Sequence, residues 1–402
     1  MIAGHSCDYL HRIVPLHDGE KAYCARCGTL LYQQNKNSLD RALALNLTAL
    51  MLFIIANSFP FLTLKLNGMV EENLLISGVM TLYDMGMQGL AILVFVTSIG
   101  FPLLLMVAML YLLLPLRWGR VPPWRGAVYR VVQMLQPWSM LGVFMLAVLL
   151  AMVKLMDMAT IVPGVALLSF AGVVLCAAAA RSHLDHRLIW PHPVAPTLSV
   201  NGHGVTARDC GLLHCHSCAL LLPVIDAPRA CPRCGNALHL RQAHVLARTW
   251  ALVVTGVLLL IPANVYPIMT VVQLGQGEPN TIFSGVIHLI EGGMWPLALI
   301  VFFASMVVPM AKLLVMIGLL ISVQRRSPLR ALDRNRLYHI TEAVGAWSMV
   351  DIFLIAILAA LVQLDALATI TPELGASFFA AMVVVTMFAA QSFDPRLIWD
   401  HA

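Results

Sequence analysis

Charge is what this 402-residue chain lacks. Only 11% of its residues are Asp, Glu, Lys or Arg, and 20 are acidic. A soluble chain carries about a quarter charged residues, so a fully hydrated globule is excluded. Also missing is any Gly-x-x-x-x-Gly-Lys-Ser/Thr run, which excludes a P-loop nucleotide engine within the chain. No catalytic constellation stands out, and an enzyme is not expected. What is present is apolar: 60% of residues, gathered in runs of 20 or more. That is the signature of a polytopic membrane protein.

Hydropathy places spans at about 42–64, 89–116, 131–156 and 159–180, and again at 248–272, 294–323, 343–364 and 366–390. Each can cross a hydrocarbon core of roughly 30 Å at about 1.5 Å per residue. The first apolar run begins at Ala42 behind a polar, cysteine-bearing segment, so it is expected to be a true span rather than a cleavable signal. Lysine and arginine gather in the segment before span 1 (Arg12, Lys21, Arg26, Lys36, Arg41), after span 2 (Arg117, Arg120, Arg125, Arg130), in the central segment, and after span 6 (Arg325, Arg326, Arg330, Arg334, Arg336). The alternate connections hold Lys65 alone against Glu71, Glu72, Asp84, Asp157, Glu278, Glu291 and Asp365. By the positive-inside rule both termini and both cysteine segments are cytoplasmic. The net charge of +5 then reflects the inner leaflet and not nucleic acid.

The chain is written twice. Asn57, Pro60, Ser77, Gly78, Asp84 and Pro102 recur 207 positions later as Asn264, Pro267, Ser284, Gly285, Glu291 and Pro309. Further on the offset is 209, so that Trp138-Ser139-Met140 answers to Trp347-Ser348-Met349, and Asp185 with Arg187 to Trp190 answers to Asp394 with Arg396 to Trp399. One ancestral unit has been duplicated. With an even number of spans per unit, the two repeats enter the bilayer in the same direction, as parallel repeats about an axis along the membrane normal. The expected organisation is a ribbon over 1–40, a four-span module over 41–190, a second ribbon over 205–245 and a second module over 246–402. The fold class is all-α apart from the ribbons, with eight spans.

Cysteines carry the most specific local chemistry. Cys215-His216-Ser217-Cys218 and Cys231-Pro232-Arg233-Cys234 are two thiolate pairs on short turns, able to close a tetrahedral four-sulfur zinc site. A redox dithiol or iron is the alternative. The first ribbon is imperfect. Cys24-Ala25-Arg26-Cys27 supplies one pair, but Gly4-His5-Ser6-Cys7 has glycine where the first thiolate should stand. His5 can complete a Cys3His site, with His11 or His17 as substitutes; the alternative is a decayed site. Cys176 and Cys210 read as bystanders.

Within the spans, Asn57 with Pro60 and Asn264 with Pro267 suggest helix stops whose freed backbone groups are capped by Asn. Leu75–Met87 and Ile282–Met294 read as interfacial helices, with Asp84 and Glu291 near the headgroups. Intramembrane charge is costly and marks function by default. Lys312 in span 6 and Asp351 in span 7 are expected to pair, either as a structural ion pair or as a transport relay. Their counterparts, Leu105 and Gly142, carry no charge.

The two ribbons, the twice-written Asn-x-x-Pro, the Ser-Gly-Val stretch, Pro309-Met310-Ala311-Lys312-Leu313 and Trp347-Ser348-Met349-Val350-Asp351-Ile352-Phe353 together resemble the paraquat-inducible protein A family, over essentially the whole chain. Gly4 and Leu141-Gly142, where the family often has an acidic residue, are departures. The resemblance implies a Gram-negative inner-membrane protein with tetraspanin-like modules. It also implies a partner, a periplasm-spanning MCE-domain tunnel protein, and phospholipid as the cargo. A proton- or ion-coupled small-molecule transporter using Lys312 and Asp351 is a second expectation. A membrane-anchored zinc or redox sensor is a third.

Overall fold

The computed structural model describes residues 1–402 apart from 67–68, 156–159, 191–205, 225–229, 242–243, 274–275, 294, 362–367 and 401–402. Eight helices are long and apolar enough to cross a membrane: Ser38–Ser58, Gln88–Arg117, Arg125–Val153, Val165–His183, Val245–Val265, Ala298–Gln324, Ala331–Leu361 and Leu374–Ser392. They are spans 1 to 8 below. The protein is a multi-pass membrane protein of mainly helical class.

Span ends depart from the hydropathy reading in a consistent way. Spans 1 and 5 stop at Ser58 and Val265, because Pro60 and Pro267 cannot donate to the helical ladder. The apolar stretches that follow are strands. Leu62–Leu66 pairs antiparallel with Met69–Asn73 and Thr160–Pro163, and Met269–Gln273 pairs in the same way with Gln276–Asn280 and Ala368–Pro372. Each module thus carries a three-stranded sheet on the side away from the ribbons. Threonine and β-branched residues in Thr160–Pro163 and Ala368–Pro372 favour that pleated form, while hydropathy alone cannot tell a short buried strand from a helix end. The Asn side chains bond back within their own helices and not to the carbonyls the prolines free: Asn57 Nδ2 donates to Phe53 O at 2.8 Å and Asn264 Nδ2 to Leu260 O at 2.8 Å. Gly164 and Gly375 open spans 4 and 8 where the chain crosses the proline turns. A Cβ there would lie 2.1 Å from Pro60 O and 2.4 Å from Pro267 O.

Two irregularities recur at matching places in both modules. Span 2 contains a π-helical turn at Val96–Gly100 and span 6 one at Phe303–Val307, each just ahead of Pro102 or Pro309, whose missing N–H breaks the regular ladder. Span 3 is interrupted by a 3-10 turn at Gln136–Trp138, and span 7 by one at Ala346–Met349. Irregular backbone at membrane depth survives only where protein or a cavity surrounds it.

Span 7 joins the modules. Its apolar window is 78% buried, against at most 56% for any other span. Phe353 meets Phe144 of span 3 with ring centroids 5.3 Å apart, and Phe144 continues the cluster to Phe61 and Phe170. The short helix Ser77–Asp84 lies so close to span 7 that a Cβ on Gly78 would approach Ala356 O to 2.9 Å. In lipid such contacts hold helices together through close packing, since the surrounding tails are as apolar as the side chains.

On the ribbon side an ionic knot ties distant parts together. Arg241 reaches Asp8 and Asp400 at 2.6 Å each, Arg396 pairs with Asp394 at 2.9 Å and faces Asp8 at 3.6 Å, and Arg208 meets Asp400 at 3.3 Å. Burial works against the Arg241 charge, but Asp400 and Asp8 outweigh it and hold its pKa up. Burial likewise opposes the Asp394 carboxylate, and the hydrogen bonds and charge of Arg396 overcome it, holding Asp394 below its ordinary value. A depressed carboxylate contributes stability that is fully present above its unfolded pKa, roughly 3.9. That contribution is lost as pH falls through the lower folded value. Thermal unfolding should therefore show an acid-dependent loss below about pH 4, reduced in Asp394→Asn; a flat wild-type profile there would disprove the linkage. Arg241→Ala leaves Asp8 to Arg396 and Asp400 to Arg208 and should cost about 2 kcal/mol, read as a lowered Tm.

Candidate metal centres and the intramembrane cleft

Four cysteine-bearing turns share one backbone design. Cys215 N donates to Leu220 O and Ala219 N to Cys215 O; Cys231 N to Asn236 O and Gly235 N to Cys231 O; Cys24 N to Thr29 O and Gly28 N to Cys24 O. The fourth turn keeps the pattern without the cysteine: Gly4 N donates to Tyr9 O and Asp8 N to Gly4 O. Each turn closes on a left-handed residue, Asp8, Gly28, Ala219 or Gly235, with φ of 55°, 74°, 58° and 72°. Glycine supplies that conformation without steric cost at two of the four places.

These turns aim their thiols inward. The Sγ atoms of Cys215, Cys218, Cys231 and Cys234 all lie within 4.8 Å of one another and are buried. Cys215 to Cys234 is 3.5 Å and Cys218 to Cys231 is 3.6 Å. A disulfide needs about 2.05 Å, whereas sulfurs about 2.3 Å from a shared tetrahedral ion stand about 3.8 Å apart. The geometry fits a metal ion and not a disulfide.

In the first ribbon Cys7, Cys24 and Cys27 form a buried triad of the same kind. A Cβ on Gly4 would fall 2.9 Å from Cys7 Sγ and 3.1 Å from Cys24 Sγ, closer than side chains pack, so the two sulfurs have closed in on the missing thiolate's place. The nearest imidazole is His11, whose Nε2 lies 3.2 Å from Cys24 Sγ. Burial lowers the His11 pKa, which favours the neutral ring that a metal requires. His5 instead faces the other ribbon, with its ring 4.6 Å from His216 and 6.1 Å from His214. Neither imidazole belongs to the triad's own cluster of ligand atoms, and His11 is the one with a contact to it.

The ribbons pack on each other and dock crosswise. Ala207 N donates to Asp8 O at 2.7 Å along the seam between them. Arg26 of the first ribbon lies over Trp399 at the end of the second module, 4.9 Å from its ring centre, and Arg233 of the second ribbon lies over Trp190 at the end of the first, at 4.8 Å. The second cysteine cluster is seated so tightly that a Cβ on Gly126, at the start of span 3, would lie 3.0 Å from Cys234 backbone. Each module therefore ends on the ribbon of the other repeat.

Two equivalent four-span units, each entered through a cysteine turn system, are a family-level architecture, and the comparison with known proteins is decisive. A model of the paraquat-inducible protein A family matches twice, over residues 39–193 and 246–402. The chain belongs to the paraquat-inducible protein A family. It is 35% identical to the intermembrane transport protein PqiA of Escherichia coli K12, over 98% of this chain and 94% of that one. It is 32% identical to the lipophilic envelope-spanning tunnel protein A of the same organism, over 98% and 90%. A probable intermembrane transport protein of Haemophilus influenzae is 28% identical over 96% and 92%. No solved structure matches significantly.

In this family member the two intramembrane charges sit at different levels of the bundle. Lys312 and Asp351 are both buried, 5% and 6% exposed. Spans 6 and 7 run antiparallel, and the Lys312 ammonium lies over Gly345, where a Cβ would meet Nζ at 2.8 Å. Asp351 is six residues further along span 7, roughly 9 Å at the helical rise. There it lines, with Ser305 of the π-helical turn, a small apolar cleft of about 40 Å³ walled by Ile268, Ile282, Leu289 and Ile355. The cleft belongs to the second module, and Leu150 of span 3 closes it from the first. Glu291 and Asp84 are exposed at the ends of the short helices Ile282–Glu291 and Ser77–Asp84, with His288 Nδ1 3.6 Å from the Glu291 carboxylate. Asn264 and Pro267 shape the turn beside the cleft and do not line it. Ser305 and Gly345 were not legible as site residues; the signal for both was their place beside Pro309 and Trp347 in the repeated motifs.

Proposed function

We propose that this protein is the inner-membrane component of an intermembrane lipid transport system, accepting or loading phospholipid for a periplasmic MCE-domain tunnel protein. The observation that carries this reading is the cleft of the second module, apolar on most sides and closed by Leu150 of the first, with one buried carboxylate, Asp351, in its lining. The names borne by the Escherichia coli and Haemophilus influenzae relatives point to transport between membranes. The lysine and arginine distribution supports cytoplasmic ribbons and a periplasmic cleft. Without a P-loop, energy comes from a partner, an ion gradient or the lipid gradient. Lys312, Asp351 and the cleft-side turn of Asn264 and Pro267 form the proposed path, with Asp84 and Glu291 facing the headgroups and the tunnel. A crosslinker at Tyr83 or Ile290, both exposed beside them, should capture an MCE-domain protein; no adduct at either position would count against this partner.

Both ribbons are read as structural zinc sites that brace the cytoplasmic face. Cys215, Cys218, Cys231 and Cys234 would hold one ion; Cys7, Cys24 and Cys27 with His11 would hold the other. Bound zinc would supply folding energy and no open position for chemistry. Metal analysis should give close to two zinc per chain. His11→Ala should bring it close to one, and His5→Ala should leave it unchanged; the opposite ordering would restore His5 as the ligand.

A further inference from the structure

A second cavity, of about 200 Å³, lies within the first module, between spans 1, 2, 3 and 4 on the ribbon side. Ligand sites commonly occupy about 300–1,000 Å³, so this one takes part of an amphiphile, such as one acyl chain, with the rest at its mouth. It exists because the repeats have diverged in side-chain size. Gly142, Ala178 and Leu184 line it, and the residues at the same positions of the second module are Asp351, Met387 and Phe393, all buried. The repeated scaffold is the same; the second copy fills what the first leaves open.

The mouth of the cavity also differs. Arg181 lines it, two residues before span 4 ends at His183, and no carboxylate among the described residues lies within ion-pair distance of it. The equivalent residue of the second module is Ala390. Deeper in, Gln136 and Ser139 contribute polar groups from the interruption in span 3, while Met106 and Met109 of span 2 form a pliable apolar wall. A cation without a protein partner at the level of the headgroups, above an apolar recess, is complementary to an anionic amphiphile.

We propose that this cavity binds one phospholipid from the ribbon-side leaflet, with its phosphodiester on Arg181 and an acyl chain along Met106 and Met109. The proposal rests on the transport reading and deepens it: the first module holds the lipid, and the second, with Lys312 and Asp351, is the module that moves it. Gln136 and Ser139 are positioned for the glycerol and ester oxygens.

The test is native mass spectrometry of delipidated, detergent-solubilised full-length protein titrated with phosphatidylglycerol. Wild type should retain one lipid. Arg181→Ala should weaken retention by about tenfold, the loss of a charge-assisted contact, and Arg181→Lys should restore part of it. Ala178→Met, which installs the second module's own residue, should weaken retention comparably while zinc content and elution volume stay unchanged. Retention unaffected by both Arg181→Ala and Ala178→Met would overturn the proposal, as would displacement of the lipid by millimolar inorganic phosphate alone, which would mark a small-anion site. Lipid transfer to an MCE-domain protein is measured in parallel. Transfer with unaltered retention in the variants sinks this site and leaves transport standing; loss of retention in the variants without transfer by wild type does the reverse.

Discussion

Cys231→Ser is expected to abolish most of the folded yield and to remove about one zinc per chain. The apparent binding free energy of structural zinc is about 10–16 kcal/mol, and the second ribbon has little else to hold it. Its strands Leu212–His214 and Leu221–Pro223 are three residues each. The damage should spread, because the cluster is also the floor on which the first module rests. Cys234 backbone packs against Gly126, Arg130 donates to Gly235 O at 2.9 Å, and Arg233 stacks on Trp190. Cys210→Ser, outside the cluster, should leave yield and metal unchanged. Wild-type zinc content and a normal monodisperse peak for Cys231→Ser would contradict a structural site.

Asp351→Asn should stop transport without preventing folding. Placing a charge within a span costs about 2.5 kcal/mol or more on insertion scales, so its retention in one repeat and its replacement by Gly142 in the other indicates a use. Asparagine keeps the shape and removes the charge, which isolates the carboxylate's role from its packing beside Ser305. Lipid transfer is expected to fall at least about tenfold, equivalent to about 1.4 kcal/mol, with yield and zinc unchanged. Near wild-type transfer would leave Asp351 as a packing residue only. Lys312→Ala should behave similarly in transfer but lower stability as well, because it empties the space over Gly345 that the long side chain fills.

Much of this was legible in the sequence because duplication shows each motif twice. The paired offsets predicted eight spans, two ribbons and parallel modules, and every cysteine of both clusters was named from its spacing. What the sequence hid has a physical pattern. Leu62–Leu66 and Met269–Gln273 are apolar enough to pass as helix ends, and only pairing with strands about a hundred residues away makes them sheet. Lys312 and Asp351 looked like partners because both are buried charges on neighbouring spans, but the antiparallel register of spans 6 and 7 matches Lys312 with Gly345. His5 adjoins the missing cysteine's position, yet its ring meets His216 of the other ribbon, while His11, on the strand Leu10–His11, contacts Cys24. The crosswise seating of ribbons on modules has no local signal, although Trp190 and Trp399 were visible as a repeated pair.

The divergence of the repeats is the functional point. Charge is concentrated in the second module, at Lys312 and Asp351, and open volume in the first, beside Arg181. A symmetric pair would offer two identical sites; on the proposed reading the first module would hold the lipid and the second would move it.

The central claim is phospholipid transfer by way of the cleft that Asp351 lines in the second module. It is tested most directly by moving fluorescent phospholipid from proteoliposomes containing the full-length protein to a soluble MCE-domain protein, with Ile355→Trp inserted to close the cleft. The account predicts transfer that depends on the protein and falls at least about tenfold in the variant. Equal transfer from protein-free liposomes, or from the variant, would contradict it.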